Sequence, residues 1–439
     1  MRNSGPKIHT TVEKLKLAID SHRQGRLDEA EKIYRAVLKT QPSNPDALHF
    51  FGVLLHQRGR SNEAIVRIER ALRVNPSYLD ARMNLGNIYK ETGDMAKAAA
   101  IFRKVIAMKP DHVNAYNNLG VVLRKAGDLD ESVRMLQKVL ALDPDNADCL
   151  HNLGNCYQDQ HQIQKAVEAY LRSIALKPKQ KDAYESLWQM FRRKGEIAAA
   201  ADVLAKWLEA DPENPIAKHY MSACAGVDIP DRASDAYVQQ TFDDFAASFD
   251  AVLKGLDYRA PELTAQAVAE VFPEPQNRLF LLDAGCGTGL CGAFLKPYAR
   301  KLIGVDLSPA MLSKAEGRGL YDELAEAELV EYIGRYSEAF DLIVSADTLC
   351  YFGELQAFFR ATRDALRAGG CLVFTLEKIE DGAFGDFKLN HHGRYSHRSD
   401  YVSRALDACG LTLLSLRTVV LRMERGAPVA GLLVTAILK

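Results

Sequence analysis

Residues 281–289 read LLDAGCGTG, an apolar run, an aspartate, and then glycine at every second position. The apolar run predicts a strand, and the glycines predict a loop whose bare backbone touches a ligand and points its N–H groups inward. A helix starting just beyond would favour an anionic group. Two familiar glycine motifs do not fit. Dinucleotide binding wants G-x-G-x-x-G, but the third glycine comes one residue early, at Gly289, and Leu290 stands in the required place. A phosphate loop needs Gly-Lys-Ser/Thr, which the stretch lacks. Around it, short apolar runs alternate with helical spacing: RLFLLDAG, KLIGVDLS, FDLIVSAD and GCLVFTLE. That alternation predicts a doubly wound parallel sheet, with the glycine loop beyond a strand end where such sheets bind ligands. LTLLSLRTVVLR and PVAGLLVTAIL follow each other without a helix between them and predict an antiparallel pair at the sheet's C-terminal edge.

The sequence D-A-G-C-G-T-G resembles motif I of the class I S-adenosylmethionine-dependent methyltransferases, with a Rossmann-like fold. The resemblance implies S-adenosylmethionine as cofactor, held by Asp283, Gly285, Cys286, Gly287 and Gly289. It places Asp306, in GVDLS, on the ribose hydroxyls, Leu307 and Met311 on the adenine faces, and Glu328 at the adenine amino group. Asp347, in SADTL, falls beside the reactive methyl. Upstream, FDDFAASFD matches in spacing a Y-D-x-x-A-x-x-Y-D segment of related enzymes that covers the cofactor. Here Phe242 and Phe249 replace the tyrosines, leaving an apolar cover. Arg259 is expected to pair with the methionyl carboxylate.

The stretch LNHHGRYSHRSDYV, residues 389–402, follows the fifth strand and gathers His391, His392, Arg394, Tyr395 and His397. It reads as a polar loop outside the core. Histidine suits proton transfer near neutral pH, so His392 or His397 is the expected base, Tyr395 the orienting group, and Arg394 a grip for an acceptor carboxylate. No cysteine or acidic cluster completes a metal site there.

The first half has another texture. Pro42, Pro76, Pro110, Pro144, Pro178 and Pro212 stand at intervals of 34. The same period carries a small residue at Ala18, Gly52, Gly86, Gly120 and Gly154, replaced by Trp188 in the sixth unit. A turn glycine recurs at 25, 59, 93, 127 and 195, with His161 as the exception, and an apolar residue at Tyr34, Ile68, Phe102, Leu136, Tyr170 and Leu204. Small residues let two antiparallel helices approach, glycine turns the chain, and proline ends the second helix. This pattern resembles the tetratricopeptide repeat across residues 11–214, a helical superhelix. Asn84, Asn118 and Asn152 fall in register, and such a ladder can hydrogen-bond an extended peptide. A spacer or dimerisation scaffold is the other reading.

Taken whole, the chain resembles a bacterial family of predicted class I methyltransferases that carry N-terminal tetratricopeptide repeats. The expected layout is a tail at 1–10, repeats at 11–214, a capping helix and linker at 215–235, and the methyltransferase domain at 236–439. The apolar share of 47% and charged share of 26% are ordinary for a globular protein. A net charge of −1 gives no footprint for nucleic acid. The N-terminus lacks the apolar core of a signal peptide, no run is long enough to span a bilayer, and the scattered cysteines suit a reducing, cytoplasmic setting. The expected reaction is methyl transfer to an O, N or S nucleophile of a small molecule. Alternatives are a protein or peptide acceptor recruited by the repeats, or a non-catalytic adaptor that senses the cofactor. Homo-oligomerisation stays open.

Overall fold

The computed structural model describes residues 10–226, 228–379 and 385–439. The expected tail, but for Thr10, therefore lies outside the described residues. The chain divides into two compact units between Leu187 and Trp188, inside helix Lys181–Arg193.

In the first unit, helices pair at the predicted period, from Thr11–Arg23 with Leu27–Thr40 to Ala147–Asp159 with Ile163–Leu176. The small position of each first helix lies under the apolar position sixteen residues later. A Cβ on Gly52 would fall 2.5 Å from Ile68 Cγ1, one on Gly86 2.6 Å from Phe102 Cε1, and one on Gly120 2.8 Å from Leu136 Cγ. Gly86→Val is therefore expected to destabilise the repeats by about 1–3 kcal/mol through overpacking. A urea midpoint unchanged from wild type would contradict this packing. The turn residues have a different requirement: Gly59 has open space but φ +75°, and His161 adopts the same left-handed turn at φ 60°.

The second unit takes in Trp188, helices Ile197–Ala210 and Pro215–Ala225, and the α/β domain. Trp188 does not fill the small position's role; its buried ring packs on Tyr220, centroids 4.1 Å apart. Nine strands form one sheet: β1 Leu279–Ala284, β2 Ala299–Asp306, β3 Glu323–Glu326, β4 Phe340–Ser345, β5 Leu366–Lys378, β6 Phe387–Leu389, β7 Tyr395–His397, β8 Thr412–Glu424 and β9 Ala427–Ile437. The order β3-β2-β1-β4-β5 is parallel throughout. β9 pairs antiparallel with β5 and with β8, the predicted C-terminal pair. The strands read as unbroken apolar runs because both faces are covered. Leu282, Ile303, Ile343 and Leu372 enter one core, and their neighbours Leu281, Leu302, Leu342 and Cys371 enter the other.

The histidine-rich stretch departs from its expectation. It is a hairpin, β6–β7, whose second strand extends the last two residues of β5. Leu389, Tyr395, Ser396 and His397 are buried, because pairing with β5 draws this polar segment into the domain. Among the described residues no helix is long and apolar enough to cross a membrane.

Candidate functional site

A cavity of about 330 Å³ lies beyond the C-terminal ends of β1, β2 and β4, where the glycine loop leaves the sheet. Each glycine has its own duty. Gly285 turns at φ +81°, its N–H and that of Cys286 bond Val305 O at 2.8 and 2.9 Å, and a Cβ there would run into the Thr348 side chain. Gly287, at φ +54°, has nothing within 4 Å of its Cβ position and donates its N–H to Asp306 Oδ2 at 2.8 Å. Gly289 backs onto Tyr321, 3.0 Å from the Cβ position, and does not line the cavity. Gly285, Cys286 and Gly287 do line it, with Asp306, Leu307, Met311 and Glu328. Asp306 Oδ1 also accepts from Ser308 N at 2.9 Å. Burial raises its pKa, and the N–H groups of Ser308, Gly287 and Leu307 oppose the rise. Glu328 Oε2 caps the next helix through Glu331 N at 2.8 Å, while its buried Oε1 has no hydrogen-bond partner, with Arg232 4.0 Å away.

Asp283 stands behind the loop rather than in the cavity wall. It is 1% exposed, accepts from Tyr321 Oη at 2.6 Å, and leaves Oδ1 unpartnered. Burial pushes its carboxyl up to about 7. The folded value lies above the unfolded one, so the stability this group contributes is full in acid and lost as pH rises through about 7. Asp283→Asn keeps an acceptor for Tyr321 and removes the acid. Its stability relative to wild type is expected to grow by a few kcal/mol (about) between roughly pH 4 and 7. Urea midpoints across that range test this, and a difference independent of pH would contradict it.

Helices Asp235–Phe245 and Phe249–Gly255 roof the cavity with Phe242, Phe245 and Phe249. Their aspartates fasten the roof to the sheet's loops. Asp243 accepts from Ser308 Oγ at 2.5 Å, and Asp250 from Thr288 Oγ1 at 2.6 Å and Arg318 Nη2 at 2.5 Å. FDDFAASFD carried these aspartates in plain view, but their partners lie far along the chain.

The opposite end is built from charges. Asp347, at φ 55°, accepts from Arg422 Nη1 on both oxygens, at 3.2 and 3.1 Å. Arg422, on β8, is 1% exposed and also binds Glu377 and, through Nε at 2.7 Å, Glu424. Arg394 bridges the same two glutamates at 2.6 and 2.5 Å. Burial alone would raise Glu424, yet Arg394 and Arg422 hold it at about 2. His392 lines the cavity 3.5 Å from Glu377, and burial, reinforced by Arg394, pushes it down to about 3. It is a neutral imidazole at physiological pH and a weak base.

Besides Asp283 and Gly289, three further expected site residues fall elsewhere. His397 is fully buried with Nε2 3.0 Å from Gly353 O, and Tyr395 donates to Pro230 O at 2.7 Å, so both brace the 228–234 and 349–353 segments rather than face the cavity. Arg259 precedes helix Ala260–Val271 with an exposed side chain outside the lining, and its N–H bonds Leu421 O at 2.8 Å. In the repeats, the amide ladder bonds to itself and its neighbours. Asn84 Nδ2 lies 2.8 Å from His49 Nε2, Asn118 Nδ2 donates to Asn87 at 3.1 Å and Asn152 Nδ2 to Asn117 at 3.1 Å.

Residues 282–372 match the methyltransferase domain family, and residues 22–73, 55–120, 111–179 and 151–215 match tetratricopeptide repeats. The chain is 39% identical over 98 residues to Methyltransferase-like protein 27 of Homo sapiens, covering 22% of this chain and 39% of that protein. It is 28% identical over 175 residues to the biotin biosynthesis bifunctional protein BioHC of Saccharophagus degradans, covering 37% of this chain and 30% of that one. The chain thus spans well under two thirds of the length of these relatives. Among solved structures it is similar to MamA, with a TM-score of 0.35 at 22% identity, over 37% of this chain and 95% of that one.

Proposed function

We propose, for a chain that carries tetratricopeptide repeats ahead of a methyltransferase domain, an enzyme that methylates a small molecule from S-adenosylmethionine. The observation that carries this reading is one roofed cavity joining the glycine loop and Asp306 to the charged end at Asp347, Arg394 and Arg422. The residues fit the cofactor: Gly287 leaves open space at its Cβ position, Asp306 offers a half-buried carboxylate, and Glu328 Oε1 lacks a hydrogen-bond partner. Asp306 accepts from the ribose hydroxyls, Leu307 and Met311 cover the adenine, Glu328 meets its amino group, and Cys286 and Gly287 shape the loop beneath. When bound, S-adenosylmethionine supplies a methyl group already activated by a sulfonium. The chain then has to align an acceptor and exclude water. Phe242, Phe245 and Phe249 exclude water, and Asp347, fixed by Arg422, shapes the wall beside the acceptor.

The repeats, 11–214, and the linker, 215–235, serve partner binding or oligomerisation, with 236–439 as the catalytic domain of a cytoplasmic protein. The self-bonded asparagines weigh against a peptide grip, because binding would have to displace the bonds that they already make.

Incubating the full-length protein with methyl-labelled S-adenosylmethionine and a cell extract, then separating small molecules from protein, tests the reading. Label is expected in the small-molecule fraction. Label confined to protein would move the acceptor to a peptide.

A further inference from the structure

We propose that the acceptor group is a carboxylate, received at the charged end of the cavity with help from Arg192 and released as a methyl ester. The inference rests on the cofactor reading above and adds the acceptor's chemistry.

The first observation is the sign of the wall. Arg394 and Arg422 line the cavity, and among the described residues the one carboxylate lining it beside them is Asp347. Their other counterions, Glu377 and Glu424, do not line it. The arginines thus line the cavity, while Glu377 and Glu424, two of the three acids paired with them, are held behind.

A second observation comes from Arg192, at the end of helix Lys181–Arg193 and within the second unit. Its guanidinium lies 5.3 Å from the Trp188 ring centroid, and Trp188 packs on Tyr220, a residue of the cavity wall. Nε of Arg192 is buried without a hydrogen-bond partner, and no carboxylate is among the main groups acting on its charge, which are Tyr220, Arg425, Arg193 and Cys224. That charge also reaches His392 on the cavity wall. A guanidinium nitrogen buried without a partner is costly unless an acceptor comes to it.

The third observation is that, among the described residues, this end of the cavity offers no ready proton acceptor. Both oxygens of Asp347 are taken by Arg422. His392 resists protonation beside Arg394, Arg422 and Arg192. His397 and Tyr395 are spent on backbone carbonyls. An alcohol or phenol has to lose a proton to become a good nucleophile, whereas a carboxylate arrives already ionised. One carboxylate oxygen forms the new C–O bond with the methyl carbon as the methyl–sulfur bond breaks, and that bond's electron pair stays on sulfur. The negative acceptor and the positive sulfonium become a neutral ester and a neutral thioether, and no proton is released.

Methyl esters, unlike methyl ethers and N-methyl amines, release methanol in mild alkali, and this separates the acceptor classes. Full-length protein is incubated with methyl-labelled S-adenosylmethionine and the small-molecule fraction of a cell extract, and the product is then treated with alkali. Most of the label is expected as volatile methanol. Arg192→Gln is expected to lower the rate at limiting extract by about tenfold or more, the size of a lost charge-assisted hydrogen bond, while Arg192→Lys retains most of it. S-adenosylhomocysteine affinity, measured on the same preparations, reports separately on the cofactor site and on the fold of the variants. A protein that binds S-adenosylhomocysteine and yields an alkali-stable product overturns the carboxylate assignment alone. An Arg192→Gln rate equal to wild type removes Arg192 from it.

Discussion

Arg422→Met is expected to lower folding stability by about 3–5 kcal/mol, the range for breaking one side of a buried ion cluster. Arg422 is 1% exposed, and three carboxylates, those of Asp347, Glu377 and Glu424, depend on it. Arg394 remains beside two of them, but Asp347 loses the only arginine paired with it among the described residues. Methionine fills much of the same space, so the loss reports charge rather than a cavity. Arg417, on the same strand and paired with Glu270 of helix Ala260–Val271 at the surface, is the control, since such pairs contribute at most about 1 kcal/mol. Denaturant midpoints of Arg422→Met and Arg417→Met decide the matter. Equal, small losses would show that the cluster at the cavity end is solvated rather than buried.

Gly285→Val is expected to abolish S-adenosylhomocysteine binding. Its φ of +81° is strained for any side chain with a Cβ, at about 1–3 kcal/mol, and a branched side chain adds to that. The Cβ would also collide with Thr348, whose hydroxyl donates to Gly285 O at 3.2 Å. Relief requires the loop to leave β2, breaking its bonds to Val305 O. Gly287→Ala makes the informative contrast, for its Cβ meets nothing within 4 Å. There the expected outcome is weaker cofactor binding with a smaller change in stability. A Gly285→Val protein that binds like wild type would mean that the loop is not held as described.

The repeats and the sheet were legible because their signals are periodic and local. A glycine 34 residues from the next, or an apolar run of strand length, carries its meaning without knowledge of its neighbours. Asp306, Leu307, Met311 and Glu328 were legible through the motif order, and all line the cavity. The charged end was not. Arg422 is one arginine in a strand of alternating residues, and only the pairing of β8 with β9 and β9 with β5 brings it to Asp347, 75 residues away. The stretch 389–402 misled for the opposite reason. Its polarity suggested a solvated loop, yet pairing with β5 buries it, and His397 and Tyr395 turn to the distant backbone carbonyls of Gly353 and Pro230. Arg259 had the right residue type near the right helix, yet it is exposed and does not line the cavity. Trp188 broke the repeat's small-residue rule, and that break marked the place where the second unit begins.

If S-adenosylmethionine fills this cavity with Asp306 on its ribose, removing that carboxylate weakens binding. Calorimetric titration of S-adenosylhomocysteine into the wild-type protein and into Asp306→Ala tests it most directly. Wild type is expected to bind saturably at one site and the variant at least about tenfold more weakly, the size of a lost charge-assisted hydrogen bond. Absence of binding by wild type, or equal affinity in both proteins, would contradict it.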